Sequence, residues 1–250
     1  MNIGGNTILI TGGGSGIGRA LAEALHARGD RVIVAGRRRE ALAAVAAANP
    51  GMAVETLDVA DAAAIPAFVA RVTAAHPELN VLINNAGIMV AEDLTAEPFD
   101  LSVAEATVAA NLLGPIRLTT ALLPHLRRRP AATVMNVTSG LAFVPLARTP
   151  TYSAAKAGLH SWSESLRAQL RDTAVEVIEL APPAVATDLM PGHADDPNSM
   201  PLDAYIAEVM ALLAAHPGAP EVCVERVRFL REAERRGDYD QVFARLNGTL

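Results

Sequence analysis

A tyrosine and a lysine four residues apart, in Tyr152-Ser-Ala-Ala-Lys156, are the pair in this sequence best suited to chemistry. On a helix, side chains at that spacing lie on one face. An unperturbed phenol, with a pKa of about 10, exchanges its proton reluctantly near neutrality. A neighbouring ammonium favours the phenolate and makes the phenol a better reversible acid and base. Ser139 stands thirteen residues before the tyrosine and offers a hydroxyl that can polarise an oxygen on a bound molecule. Together the three could hand a proton to an oxygen that is gaining negative charge. The lysine is singular, because among 21 basic residues it is the only lysine and the rest are arginine. A chain that uses arginine wherever a cation suffices keeps at position 156 a compact ammonium, for which a broad planar guanidinium is a poor substitute.

Such residues need a scaffold. Apolar, β-branched runs at 7–10, 31–35, 53–57, 81–84, 133–137 and 175–180 alternate with alanine-rich helical stretches, the first at 16–28. Strands buried on both faces read as continuous apolar runs. The arrangement that follows is α/β, a doubly wound parallel sheet with helices on both faces and ligands at the carboxyl ends of the strands. With 250 residues, no internal repeat and no linker, the chain is expected to form one domain, 1–250. Its one long irregular stretch, 183–201, is rich in Pro, Asp and Gly and is a candidate substrate loop.

No uninterrupted apolar run reaches the roughly 18 residues of a membrane span, and no basic-then-apolar leader opens the chain. The expectation is a cytoplasmic protein with no membrane partner. A net charge of −6 disfavours nucleic acid as a partner. One cysteine, Cys223, excludes an internal disulfide framework, and the six histidines lack ligand spacing, so no metal is implied.

Thr11-Gly-Gly-Gly-Ser-Gly-Ile-Gly18 follows the first strand and opens the first helix. Glycines there permit positive φ and close backbone approach, leaving the N–H groups of a helix N-terminus to face a pyrophosphate. Gly12, Gly14, Ser15, Gly16, Ile17 and Gly18 are the candidate contacts. At the end of the second strand, where an acidic residue would accept from ribose hydroxyls, Val34-Ala-Gly-Arg-Arg-Arg-Glu40 places Gly36 and then Arg37. Cations in series at a helix N-terminus oppose its dipole, which points to a bound anion, and a guanidinium suits a 2′-phosphate. The expected cofactor is NADP(H), with Arg37 the first and Arg38 the second phosphate ligand, and NAD(H) the alternative.

The spacing of Gly12, Gly16 and Gly18, together with the Tyr–Lys motif, resembles the short-chain dehydrogenase/reductase family, in its NADP(H)-preferring branch. The resemblance covers nearly the whole chain through Asp58-Val59, Asn84-Asn-Ala-Gly87, Asn111, Ser139, Tyr152 and Lys156. It implies a Rossmann-type sheet of about seven strands, with Asp58 and Val59 at the adenine and Asn85, Ala86 and Gly87 along the adenosine. It also implies Asn111 holding a relay water, Lys156 on the nicotinamide ribose, and Pro182, Val185 and Thr187 near the carboxamide. Pro183 departs from the pattern, since the family usually has glycine there; proline stiffens the backbone and lacks an N–H.

The activity implied is that of an oxidoreductase, a carbonyl reductase or secondary alcohol dehydrogenase acting on a mainly hydrophobic ketone, aldehyde or alcohol. A catalytically silent NADP-sensing regulatory or scaffold protein on the same fold is the alternative. Leu141, Phe143 and Val144 after the serine, and Leu189, Met190 and His193 in the 183–201 loop, would line an apolar pocket. A seventh strand is expected at 221–224, followed by a helical extension at 225–248 with helices at 225–236 and 239–246. There Val227, Leu230, Val242, Phe243 and Leu246 could cover a subunit interface or pack on their own chain. The resemblance implies a homodimer or homotetramer.

Overall fold

The structure, a computed structural model, describes residues 4–98 and 100–248. Seven strands form one parallel sheet in the order β3-β2-β1-β4-β5-β6-β7: β1 (Thr7–Thr11), β2 (Arg31–Gly36), β3 (Ala53–Thr56), β4 (Val81–Asn84), β5 (Ala132–Val137), β6 (Val175–Leu180) and β7 (Glu221–Val222). This is the doubly wound, Rossmann-type α/β sheet that the alternating pattern predicts. Successive side chains of a strand point to opposite faces, so Ile8 and Ile10 enter one apolar layer and Leu9 the other. The first layer is closed by α1 (Gly16–His26), α2 (Arg39–Ala48) and α7 (Leu202–Ala215), through Leu21, Leu25, Leu42, Tyr205 and Val209. The second is closed by α3 (Ala64–Ala75), α5 (Gly114–Leu126) and α6 (Pro150–Leu170), through Phe68, Leu118, Leu122 and Leu166. Strand order reverses between β1 and β4, and at such a switch point the loops at the carboxyl ends diverge and leave a crevice.

Three regions differ from the sequence expectation. α4 (Ser102–Val108) runs through a π-helical turn, Ala109–Leu113, into α5. The continuous segment Ser102–Leu126 is long and apolar enough, by length and composition, to cross a membrane. In this fold its apolar stripe, Leu118, Leu122 and Leu126, is fully buried against the sheet. The seventh strand stops at Val222, because only β6 pairs with it and Val224 already leads into a 3₁₀ turn, Glu225–Val227.

The expected single helix at 225–236 is broken into that turn, α8 (Arg228–Arg231) and α9 (Ala233–Arg236), interrupted at Glu232 (φ −104°, ψ 0°). The cause is the spacing of Val227, Leu230 and Ala233. An apolar residue at every third position is held most nearly on one face when the chain winds near three residues per turn, and all three are buried. Gly237, at φ 75°, ends this stretch before α10 (Tyr239–Leu246). The extension packs on its own chain: Val144, Leu230, Ala233 and Val242 form a separate apolar cluster, with Leu141, Tyr239, Phe243 and Leu246 against it.

Candidate active site

Thr11 closes β1 and ties it to the end of β4. Its hydroxyl donates to the Ile83 carbonyl at 3.4 Å and accepts from the N–H groups of Asn85 and Ala86 at 3.0 and 3.1 Å. The Asn85 amide donates back to the Thr11 carbonyl at 3.0 Å, so the Asn-Ala-Gly segment braces the glycine loop. Two glycines are required by that brace. Gly12 has φ +69°, and a Cβ there would lie 2.8 Å from the Asn85 amide nitrogen and 2.9 Å from Ala86 Cα. A Cβ on Gly18 would collide with the same amide and with the Gly12 carbonyl. The N-terminus of α1 is thereby held open, with Ser15 extended at its N-cap and no side-chain cap. An uncapped helix start is an anion site.

Two further groups border this cradle. Thr187, in the loop after β6, places its side chain 3.5 Å from where a Gly16 Cβ would stand. Arg37 and Arg38 are both exposed, and Arg38 Nη2 donates to Ser15 Oγ at 2.9 Å. It is thus Arg38, second in the sequence-based order, that the structure brings to the loop. Gly14 and Ile17 belong to the same loop and helix start. After β3, Asp58 accepts from the Ala60 N–H at 3.0 Å and Val59 is buried.

The chemical centre is built on β5 and α6. A buried polar chain fixes the helix to the sheet: Asn84 Nδ2 donates to Asn136 Oδ1 at 2.8 Å, and Asn136 Nδ2 donates to Ser163 Oγ at 2.8 Å. Ser139, just past β5, caps a 3₁₀ turn (Gly140–Ala142) by accepting from the Leu141 N–H at 3.1 Å. The next N–H, that of Gly140, donates to the Pro182 carbonyl at 2.8 Å, which binds the serine loop to the loop after β6. Pro183 follows without disturbing that bond. Tyr152 and Lys156 are both buried on α6, with the ammonium 5.7 Å from the phenol ring centroid. Lys156 Nζ donates to the Val137 carbonyl at 2.7 Å. Asn111 lies in the π-helical turn, fully buried; it accepts from the Ile88 N–H at 2.8 Å and donates to the Ile88 carbonyl at 2.7 Å. A π turn is rare and clusters at functional sites. Here it aims the amide at the backbone just after the Asn-Ala-Gly segment.

A family profile for short chain dehydrogenases matches residues 6–198. The chain belongs to that family. The dehydrogenase is 41% identical over 251 residues to the uncharacterized oxidoreductase DltE of Bacillus subtilis, covering 99% of this chain and 98% of that protein. Among solved structures it is similar to a short chain dehydrogenase of Burkholderia cenocepacia in complex with NADP, with a TM-score of 0.82 at 28% identity, covering 98% and 99% of the two chains. A metagenomic short-chain oxidoreductase in complex with NADP gives a TM-score of 0.74 at 31% identity, covering 89% and 97%.

Around the tyrosine the dehydrogenase gathers Met89, Tyr152 and Met190 into one apolar cluster, with Leu141 and Leu146 packed against it. Leu141 and Met190, both expected to line the pocket, lie in this cluster with the tyrosine. Phe143 and Val144 are a correction to the sequence expectation. The Phe143 ring turns away to stack under the Arg231 guanidinium at 4.5 Å and against the edge of His160 at 4.9 Å, and Val144 is buried under the C-terminal extension. His193, half-buried, sits in a turn whose N–H donates to the Met190 carbonyl. Met89 and Leu146 were missed. Both are lone apolar residues in loops, with no periodicity to mark them.

The electrostatics also correct one expectation. Burial pushes the Tyr152 phenol up to about 12, and the hydrogen bond with Ser139 only partly opposes this. Burial pushes the Lys156 ammonium down to about 8 against the attraction of Glu179. In the protein by itself, desolvation therefore dominates, and the phenol is held protonated.

Proposed function

We propose that this dehydrogenase is an NADPH-dependent carbonyl reductase or secondary alcohol dehydrogenase acting on mainly hydrophobic ketones, aldehydes or alcohols. One observation carries the reading: Tyr152 lies beside the Ser139 hydroxyl and packs among Met89, Met190, Leu141 and Leu146, with a buried ammonium one helical turn behind it. A carbonyl oxygen brought against Tyr152 and Ser139 could accept from both hydroxyls. As that oxygen gains negative charge, Tyr152 gives up its proton and Ser139 stabilises what remains of the charge. Lys156 lies close enough to favour the phenolate left behind. The apolar walls exclude water, which strengthens each of these interactions. Loop 183–201 serves as the substrate loop through Met190.

The residues present fit a dinucleotide. The glycine cradle, the open start of α1 and the guanidinium of Arg38 at its edge suit a pyrophosphate and a 2′-phosphate. NADPH bound there supplies the hydride. Similarity to two structures titled as complexes with NADP supports the choice. A homodimer or homotetramer belongs to the same reading, supported by the apolar Leu94, Leu101 and Phe229 left at the surface; sedimentation showing only monomer would remove it.

The test is to follow NADPH and NADH oxidation against a panel of ketones and aldehydes. Tyr152→Phe is expected to lose about 10²–10⁴-fold in kcat/KM and to keep its thermal midpoint. Turnover that survives in Tyr152→Phe would overturn the reading, and cofactor binding without turnover on any substrate would favour a sensing role. Arg38→Ala should raise the KM for NADPH about tenfold while leaving that for NADH nearly unchanged, with Arg37→Ala the smaller effect. Equal effects on both cofactors would place the phosphate elsewhere.

A further inference from the structure

Tyr152, Lys156 and His160 follow one another at four-residue intervals on α6 and so share a face. The third of them was not anticipated as part of the site. His160 Nδ1 lies 2.8 and 2.9 Å from the two carboxylate oxygens of Glu179 on β6. Glu179 is 1% exposed, between buried Ile178 and Leu180, and also accepts from Thr138 Oγ1 at 3.0 Å. A carboxylate inside a parallel sheet costs several kcal/mol unless it is fully paired, and apolar side chains join a helix to a strand at least as well. Its retention here calls for a task beyond packing.

The neighbouring charges suggest what that task is. Lys156 is buried, and its ammonium donates to the Val137 carbonyl. Val137 pairs in register with Leu180, the residue after Glu179, and Thr138, which holds Glu179, is the residue after Val137. Glu179 is the charge that favours the protonated lysine against the cost of burial. The other groups around it are His160 and Glu164 from α6, Arg231 from α8, and Glu221 and Cys223 from the last strand and its exit. His160, Glu179 and Glu221 each offer a ligand atom within 4.8 Å of the others, yet Arg231 Nε already lies 2.7 Å from Glu221 and supplies the cation of this cluster.

We propose that the buried Glu179 carboxylate, seated by His160 and Thr138, is a positioning charge for Lys156 that keeps its ammonium protonated and in place one turn behind the tyrosine. Because His160 shares the same carboxylate, protonating the imidazole weakens the hold on the lysine, and the neutral imidazole leaves it at full strength. The proposal rests on the Tyr–Lys reading of the preceding section. It is tested without turnover, so the two can fail separately.

The test uses the fact that Lys156 is the only lysine in the chain. Protein labelled with ¹³C at lysine Cε gives a single lysine resonance, whose shift against pH reads this one ammonium. In Glu179→Gln the titration midpoint should fall by about half a pH unit or more. In His160→Gln, which keeps the carboxylate and removes the competing cation, the midpoint should stay or rise. An unchanged or higher midpoint in folded Glu179→Gln, or a lower one in His160→Gln, would overturn the proposal and leave the pair as a cross-link between α6 and β6. Should Glu179→Gln not fold, Glu179→Met combined with His160→Leu, which replaces the buried pair by apolar side chains, is read by the same midpoint, and an unchanged or higher value overturns the proposal.

Discussion

Burying the Lys156 ammonium is costly, and the cost depends on pH. Folding lowers its pKa from 10.5 to about 8, so between those values the unfolded chain binds a proton that the native protein does not, and this group makes stability rise with pH across that window. Below it, the buried charge is a cost. Lys156→Met is therefore expected to be at least as stable as the parent at neutral pH in urea unfolding, with the parent gaining on it as pH rises from about 8 to 10.5. Activity should nonetheless fall by about 100-fold or more. A Lys156→Met variant clearly less stable at neutral pH would show that the ammonium contributes to the fold.

The same values set the pH profile. kcat/KM reports the free enzyme, in which Tyr152, at about 12, stays protonated while Lys156 loses its proton near 8. Carbonyl reduction should thus decline as pH rises through about 8. Tyr152, Lys156 and Ser139 were legible in the sequence because a reactive pair has a fixed spacing. His160 and Glu179 were not, since a histidine in a helix and a glutamate in a strand are ordinary until the fold places them 2.8 Å apart.

At the scale of elements, the reach of α6 depends on how its start is held. Glu92, in the loop after β4, accepts from the Thr151 N–H at 3.0 Å and from the Thr151 hydroxyl at 2.7 Å, and its own N–H donates to the Arg148 carbonyl. A carboxylate at that position satisfies an open N–H and complements the helix dipole. Glu92→Ala should cost about 1 kcal/mol in denaturant unfolding. It should also lower kcat more than it raises KM, because Tyr152 is the next residue. A loss of stability with unaltered kcat would show that the loop caps the helix without aligning it.

The central strands were readable for the reason that both of their faces are buried, which leaves continuous apolar runs. The clamp at Glu92 was not, because a loop glutamate 59 residues from its partner carries no pattern. The break at Glu232 escaped because an apolar residue at every third position also fits a helix of 3.6 residues per turn over one or two turns.

Across the whole molecule, the two layers on the sheet account for most of the apolar core, and the C-terminal extension adds a third, smaller cluster that reaches the active site from behind. Leu230 is 4% exposed, and its Cδ1 lies 2.7 Å from where a Cβ on Gly140 would stand. Gly140 follows Ser139 directly, and its N–H is bound to Pro182. Asn247 fastens the far end of the extension to the same loop, donating to the Pro145 carbonyl at 3.2 Å and accepting from the Ala147 N–H at 2.6 Å. The serine loop is thus held between the sheet and the extension, so loosening one should loosen the other. Leu230→Ala should lower unfolding stability by about 2–5 kcal/mol, the usual cost of emptying a buried leucine site. If the extension positions the serine, amides at 141–144 should exchange hydrogen faster in the folded variant and kcat should drop. Were exchange to quicken only at 225–248, with kcat intact, the extension would be a separately folding cover that the catalytic loop does not need.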